Sequence, residues 1–585
     1  MPYFIRSSQN SPITRARRRW LQPVQLVLVG LLALTLWPAA APAQAQTVPF
    51  TPTPCPIAPI EGLTTDCGYL TVPESRSNYT GKTIRLAVAI LRSPNPNRAP
   101  DPMVFLAGGP GQGTLPLAAL VVAGYAPTLA QRDIILIDQR GTGYSQPNLS
   151  CPIPMQTLGK RLPFNVATDD RPAFIQAQVD FLVACGNAFR AAGIDLRAYN
   201  SAENSADLED LRRALGYDQW NLVGGSYGTR LALTSMRYRP ETIRSAVLDS
   251  VYPLQANFHT EVFSSFQNSL NSLFAQCAAD AACNAAYPKL DHAYDSVVAR
   301  LNANPAQVPI IDPQTEQIVT YLPVSGVDFS LLMFQLSYST PVIPILPLVI
   351  AATNNGNYEL LGVLFGLLLS ASGEDPAAFS FGMQVAVQCN EDATFASSRD
   401  FVAARDKNRR ASPLAHIITF NEAYLDVCAA WGLTNPEPGA NFRVESDRPT
   451  LIIGGTNDPI TPPNYAASAA ETLSRSTTVL YPRGGHTPSA ISPCLARIVA
   501  AFHNDPNQRP DSSCVAAEAP LPFVTPAARS ATVKIPVTTD AFGKTKTLRL
   551  SNIKALVKPA SKAKAKPAAT TSRTTSARNT TKAAR

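Results

Sequence analysis

The hydrophobic positions of this chain fall into two rhythms. Short, nearly continuous apolar runs recur at 83–91, 103–107, 133–137, 219–223, 245–249, 449–454 and 477–481, each the length of a buried strand. Between them, apolar residues return every three or four positions, as from Asp207 to Leu215, the spacing of a helix with one face packed inward. This alternation predicts a mostly parallel sheet flanked by helices, an α/β architecture. From Tyr252 to Asp447 the alternation stops, helical patterns dominate, and apolar runs are broken by Pro344 and Pro347. A large, mainly helical insertion over 254–447 is therefore expected, dividing a core built from 46–253 and 448–515. The stretch 55–93 reads as a strand meander. Two further strands, 531–538 and 545–550, are expected within a C-terminal extension, 516–585.

One junction in the pattern carries chemistry. The strand 219–223 runs into Gly224-Gly225-Ser226-Tyr227-Gly228, and a helical run leaves it. A serine flanked by glycines between strand and helix is a nucleophile elbow: the turn strains the serine backbone, and a Cβ on either side would strike the adjoining elements. Such a serine needs a base, an orienting acid and oxyanion donors, with acid and base following it in the chain. Of the five histidines, His259, His292 and His416 lie in the insertion and His503 lies in a terminal helical run. His486 remains, in a Gly-Gly loop directly after the strand 477–481. The acid closes the strand before that one, at Asp458, one strand-helix-strand step ahead of the histidine. Asp249, at the end of the strand 245–249, is its rival. Oxyanion donors are expected from the backbone of Tyr227 and from the loop Gly108-Gly109-Pro110-Gly111; Pro110 has no N–H, so Gly109 or Gly108 must donate. That loop lacks the Gly-Lys-Ser/Thr ending and the G-x-G-x-x-G register of phosphate-binding loops.

Three motifs in order, Gly108-Gly-Pro-Gly111, Asp138-Gln-Arg-Gly-Thr-Gly-Tyr-Ser145 and Gly224-Gly-Ser-Tyr-Gly228, resemble those of the proline iminopeptidase and tripeptidyl aminopeptidase family of serine peptidases. The resemblance runs from about Cys55 to Cys514 and takes in Ala386-Val-Gln-Cys-Asn-Glu-Asp392 and Cys428-Ala-Ala-Trp431. The Cys494…Cys514 pair looks like the tripeptidyl aminopeptidase C-terminal module. The chain departs from the pattern at Ala107, where many relatives carry histidine, and at Gln112-Gly113, where serine is frequent. The resemblance implies an α/β-hydrolase fold with a cap before the acid-bearing strand, and exopeptidase activity on peptides with a free N-terminus. It also implies cap carboxylates that receive the substrate ammonium, for which Glu391 and Asp392 are the candidates. Asp138 and Arg140 are expected to form a buried structural pair. The runs 342–346 and 360–364 read equally as pocket wall or as core.

Charge and cysteines refine the picture. Of the formal net charge of +8, residues 558–585 carry eight Lys/Arg with no acid and residues 1–46 five Arg with no acid, so the residues between them carry −5. A basic nucleic-acid-binding domain is not supported; the Lys/Ala/Thr/Arg tail reads as a solvated linker or a contact for anionic envelope polymers. Residues 1–45 read as a signal peptide, with clustered arginines, an apolar run from Leu26 to Trp37 and small residues at Ala41, Ala43 and Ala45. That run is short of the roughly 20 residues a spanning helix needs. Ten cysteines in an exported chain argue for disulfides. Sequential pairing gives Cys55–Cys67, Cys151–Cys185, Cys277–Cys283, Cys389–Cys428 and Cys494–Cys514, a connectivity that sequence leaves open. No C-x-x-C occurs and no histidine stands at ligand spacing to a cysteine, so neither metal nor cofactor is expected. The reading is an exported, periplasmic or cell-envelope serine exopeptidase. An exported carboxylesterase or lipase with the same triad is the alternative, and a non-catalytic envelope-binding protein a third.

Overall fold

The computed structural model describes residues 49–152, 171–312, 315, 317–371, 375–435, 439–526, 533–539 and 545–550. The expected signal peptide and the tail from 558 lie outside the described residues. Nine strands form one sheet in the order β1-β2-β3-β5-β4-β6-β7-β10-β11. They are β1 (Phe50–Pro52), β2 (Thr65–Pro73), β3 (Thr83–Leu91), β4 (Met103–Leu106), β5 (Ile134–Ile137), β6 (Trp220–Gly225), β7 (Ile243–Asp249), β10 (Thr450–Gly455) and β11 (Ser476–Tyr481). The run from β5 to β11 is parallel throughout, while β1, β2 and β3 form an antiparallel meander whose last strand pairs antiparallel with β5. The expected mostly parallel α/β-hydrolase sheet is thus a mixed sheet with a long parallel centre.

The central strands are apolar on both faces because both faces are covered. Along β10, Ile452 packs into the core on one side of the sheet and Leu451 and Ile453 into the core on the other; along β6, Leu222 and Val223 divide in the same way. Register aligns the strand ends. Leu106 pairs with Gly224, Gly225 with Asp249, and Asp249 with Ile453, so the loops leaving β4, β6, β7 and β10 emerge together. In a parallel sheet this carboxyl edge is where ligands are met.

Neighbours β7 and β10 are joined by an excursion from 250 to 449. Eight of its helices have seven or more residues, among them Phe258–Ala279, Gly326–Ser337, Glu359–Ala371, Phe381–Glu391 and Tyr424–Ala430. It also holds an antiparallel hairpin, β8 (Ala306–Ile311) with β9 (Ile318–Val324), which the apolar pattern did not reveal. The hairpin escapes a periodicity argument because β9 is largely exposed. The runs 342–346 and 360–364 lie inside the insertion's own core: Ile345, Leu346, Leu361 and Leu364 pack there with Phe266 and Phe334. The proline-broken run becomes a 3-10 turn, Ile343–Ile345, and a helix, Leu346–Asn354, with proline near the start of each, where no N–H is missed. Strands β12 (Val533–Thr539) and β13 (Thr545–Leu550) form a separate hairpin.

The ten cysteines stand as five pairs at bonding distance, in the sequential connectivity. Asp138 and Arg140 do not pair with one another, contrary to expectation. Asp138 accepts the amides of Thr114, Leu115 and Tyr144, whereas Arg140 grips Asp207 through Nε and Nη2, both at 2.8 Å, and donates to the carbonyls of Glu74 and Ala198. Two residues apart and pointing to different neighbours, they brace separate loops.

Candidate active site

Ser226 sits between β6 and the helix Tyr227–Tyr238 with φ 55° and ψ −124°, a backbone conformation that non-glycine residues seldom occupy. The flanking glycines explain how the turn fits. A Cβ on Gly224 would lie 2.4 Å from the Gly228 backbone, and one on Gly228 would lie 2.0 Å from the Leu106 carbonyl oxygen. The Ser226 amide is held by the Asp249 carbonyl at 3.0 Å. Its side chain is left half-buried at the carboxyl edge of the sheet.

The base loop is pressed against this elbow. A Cβ on Gly225 would meet Thr487 Cγ2 at 3.5 Å, and one on Gly455 would meet the Gly485 carbonyl at 2.0 Å. Within that loop, His486 Nδ1 lies 2.8 Å from Asp458 Oδ2 and 3.1 Å from Thr461 Oγ1. Asp458 is buried and takes four further hydrogen bonds: the Ile460 and Thr461 amides on Oδ1, and the Ser250 and Thr461 hydroxyls on Oδ2. Burial alone would raise its pKa, but His486 and these donors hold it below the ordinary carboxylate value, so it stays ionised behind the imidazole.

Of the two carboxylates weighed as the acid, the chosen Asp458 is the one bonded to His486, and not its rival Asp249. Asp249 instead accepts the amide and hydroxyl of Ser489, whose hydroxyl also meets Tyr125. The other histidines stand elsewhere. His259 is buried in the insertion, its pKa lowered by burial, with Nδ1 at the Thr419 carbonyl and Nε2 3.7 Å from Asp392; His503 is buried in the helix Pro493–Asn504.

The candidate oxyanion donors come from both sides of Ser226. Tyr227 is the first residue of its helix, so its N–H has no acceptor within the helix and stands at the positive end of the helix dipole. Gly109, after β4, has φ +108°, and the adjoining Gly108 is close enough that a Cβ there would lie 3.1 Å from Ser226 Cβ. The loop is tied down at its far end by the Asp138 contacts with Thr114 and Leu115.

The two amine-binding candidates stand together at the end of the helix Phe381–Glu391. Glu391 and Asp392 are buried; both Glu391 oxygens and the Oδ2 of Asp392 have hydrogen-bond partners. Glu391 receives the Ser201 amide on one oxygen and, on the other, the Ser201 hydroxyl at 2.8 Å and Arg230 Nε at 3.2 Å. Asp392 receives the Tyr252 hydroxyl and, at 3.3 Å, the Phe258 amide. The charge of Glu391 is met by the buried guanidinium of Arg230, whereas the ion-pair contact of Asp392 is the 3.7 Å approach of His259 Nε2. The residues that sequence reasoning missed, Ser250, Thr461, Ser489, Ser201 and Arg230, are mostly hydroxyls whose roles depend on tertiary contact. Two left a trace: Thr461 stands three residues beyond Asp458, where an aspartate turn places an N–H, and Arg230 interrupts an apolar helical run.

The family model described as alpha/beta hydrolase fold matches residues 101–491. Serine protease Hip1 of Mycobacterium tuberculosis is 26% identical over 501 residues, covering 80% of this chain and 92% of the relative. Tripeptidyl aminopeptidase of Streptomyces lividans is 32% identical over 191 residues, 32% of this chain and 35% of the relative. Among solved structures, a thermophilic esterase from Thermogutta terrifontis aligns with 74% of this chain and 97% of its own at 13% identity, with a TM-score of 0.33.

Proposed function

The chain belongs to the alpha/beta hydrolase fold family, and from that premise we propose that it is an exported serine exopeptidase acting through Ser226, His486 and Asp458. The observation that carries this reading is the 2.8 Å bond from His486 to a buried, ionised Asp458, in a loop seated against the elbow. In the reaction, His486 Nε2 takes the proton of Ser226 as Oγ attacks the scissile carbonyl. Asp458 fixes the Nδ1–H tautomer and stabilises the imidazolium, and the amides of Tyr227 and Gly109 receive the oxyanion. The imidazolium then protonates the leaving amine as the C–N bond breaks, and water, deprotonated by His486, releases the acyl group. Loss of one oxyanion donor costs about 2.7–4 kcal/mol of barrier.

Peptide specificity is supported by the names of two relatives, a serine protease and a tripeptidyl aminopeptidase. Export is supported by the N-terminal charge and apolar pattern and by five disulfide pairs, which persist in oxidising compartments. No described helix is long and apolar enough to cross a membrane. The substrates are peptides with a free N-terminus, and the basic composition of residues 558–585 suits a solvated linker or a contact for anionic envelope polymers. A second reading, a carboxylesterase with the same triad, is favoured by one observation: Glu391, one of the two cap carboxylates expected to bind an ammonium, is already paired with the buried Arg230.

The deciding experiment compares chromogenic peptides with free and N-acylated termini, together with a short acyl ester, for the parent enzyme and Ser226→Ala. Turnover confined to free-amine peptides and lost in the variant is expected. Equal cleavage of blocked peptides removes the exopeptidase assignment, and ester turnover without amide turnover selects the esterase.

A further inference from the structure

One stretch of the insertion touches both sides of the elbow. At its start, Ala378 and Ser380 hydrogen-bond to the glycine loop after β4: the Gly113 amide donates to the Ala378 carbonyl at 3.1 Å, and the Ser380 amide donates to the Gly111 carbonyl at 2.8 Å. Phe379 lies between them, its ring at 3.4 Å from where a Cβ on Gly109 would be, and Gly111 has no room for one, since it would lie 2.4 Å from the Ser380 carbonyl. The chain then forms the helix Phe381–Glu391. At its far end Glu391 meets Ser201, whose hydroxyl lies 2.8 Å from the Tyr227 hydroxyl. Arg230, one turn further along the elbow helix, bonds both the carboxylate and the carbonyl of Glu391.

We propose that residues 377–392 act as a brace that sets the spacing of the oxyanion hole, with Glu391 as a positioning residue for Tyr227 through Ser201. The inference rests on the serine-hydrolase reading. Tyr227 is the residue whose backbone N–H faces the developing charge, and its ring is buried, so fixing the phenol end fixes the first turn of the helix. Gly109, the other donor, is fixed through Gly111, Gly113 and the Phe379 ring. An unanchored insertion leaves the two donors on independent elements; the brace makes their separation a property of one helix. Donors must stand at hydrogen-bond distance from the oxyanion position, so small errors in that spacing are felt in the rate. This also explains why a buried arginine and glutamate are kept beside an elbow that needs neither for proton transfer.

The experiment measures kcat and KM on p-nitrophenyl acetate, which has no amine, and on a free-amine aminoacyl anilide. The variants are Ser201→Ala, Glu391→Gln, their combination and Ser226→Ala. A thionoester analogue is added because its sulfur fits N–H donors poorly. Ser201→Ala and Glu391→Gln should each lower kcat roughly tenfold on both substrates, with KM little changed and a reduced preference for the oxygen ester over the thionoester. The double variant should be no slower than the slower single, since both act through one chain of contacts. Unchanged kcat on the acetate, an unchanged oxygen-to-sulfur ratio, or a loss confined to KM for the free amine overturns the brace. Ser201→Ala removes one buried hydroxyl and keeps the test open if Glu391→Gln does not fold. Activity retained in Ser226→Ala overturns instead the reading on which the brace rests.

Discussion

Two aspartates end neighbouring strands at the centre of this site, and their surroundings give them opposite protonation behaviour. Asp458 gathers four hydrogen bonds besides that of the imidazole and remains charged. Asp249, one strand away, has one oxygen bonded to Ser489 and the other without a partner; burial pushes its carboxyl up to about 7, against the pull of Ser489 and His486. A carboxyl whose value is raised by folding binds its proton more tightly in the folded state. Its contribution to stability is full below the ordinary carboxylate range and is lost as pH rises through about 7. Asp249→Asn, neutral at every pH, should therefore gain in melting temperature relative to the parent, by a few degrees, between about pH 5 and about pH 8.5. A difference that stays constant across that range would show that Asp249 does not titrate in the fold. Sequence offered both aspartates and placed the acid at Asp458, one strand-helix-strand step ahead of His486, with Asp249 as the rival. The choice lies in which loop the histidine side chain turns toward, a contact between residues 28 positions apart.

Among the elements, legibility follows packing. The parallel strands β5, β4, β6, β7 and β10 were readable because each is buried on both faces and therefore largely apolar. The helix Tyr227–Tyr238 was readable from its glycine-flanked start. The β8–β9 hairpin was not, because β9 exposes Ile318, Val319 and Tyr321 and shows no clean alternation. The partners of Glu391 and Asp392 were hidden for a related reason: an acidic pair beside a cysteine has the same sequence whether it faces solvent, a substrate or a buried arginine. The join between β4, β6 and the elbow helix has no slack. Gly228→Ala places a methyl against the Leu106 carbonyl, so it should destabilise the protein by about 1–3 kcal/mol in denaturant titration and slow labelling of Ser226 by a phosphonate probe. Unchanged stability would mean that the helix can move away from β4 at little cost.

At the scale of the whole molecule, the core is assembled from segments on either side of the insertion, and covalent links reinforce individual regions. The Cys389–Cys428 bond joins the helix Phe381–Glu391 to the helix Tyr424–Ala430 within the insertion, closing a separation of 39 residues. Replacing both cysteines by serine should cost about 2–4 kcal/mol in an unfolding experiment, and no loss would place the constraint elsewhere. The five bonds share a further property: none encloses or interleaves with another along the chain. A polypeptide threaded N-terminus first into an oxidising space can close each one before the next pair arrives. On the proposed export route, this order of closure calls for an oxidant rather than for repeated disulfide exchange.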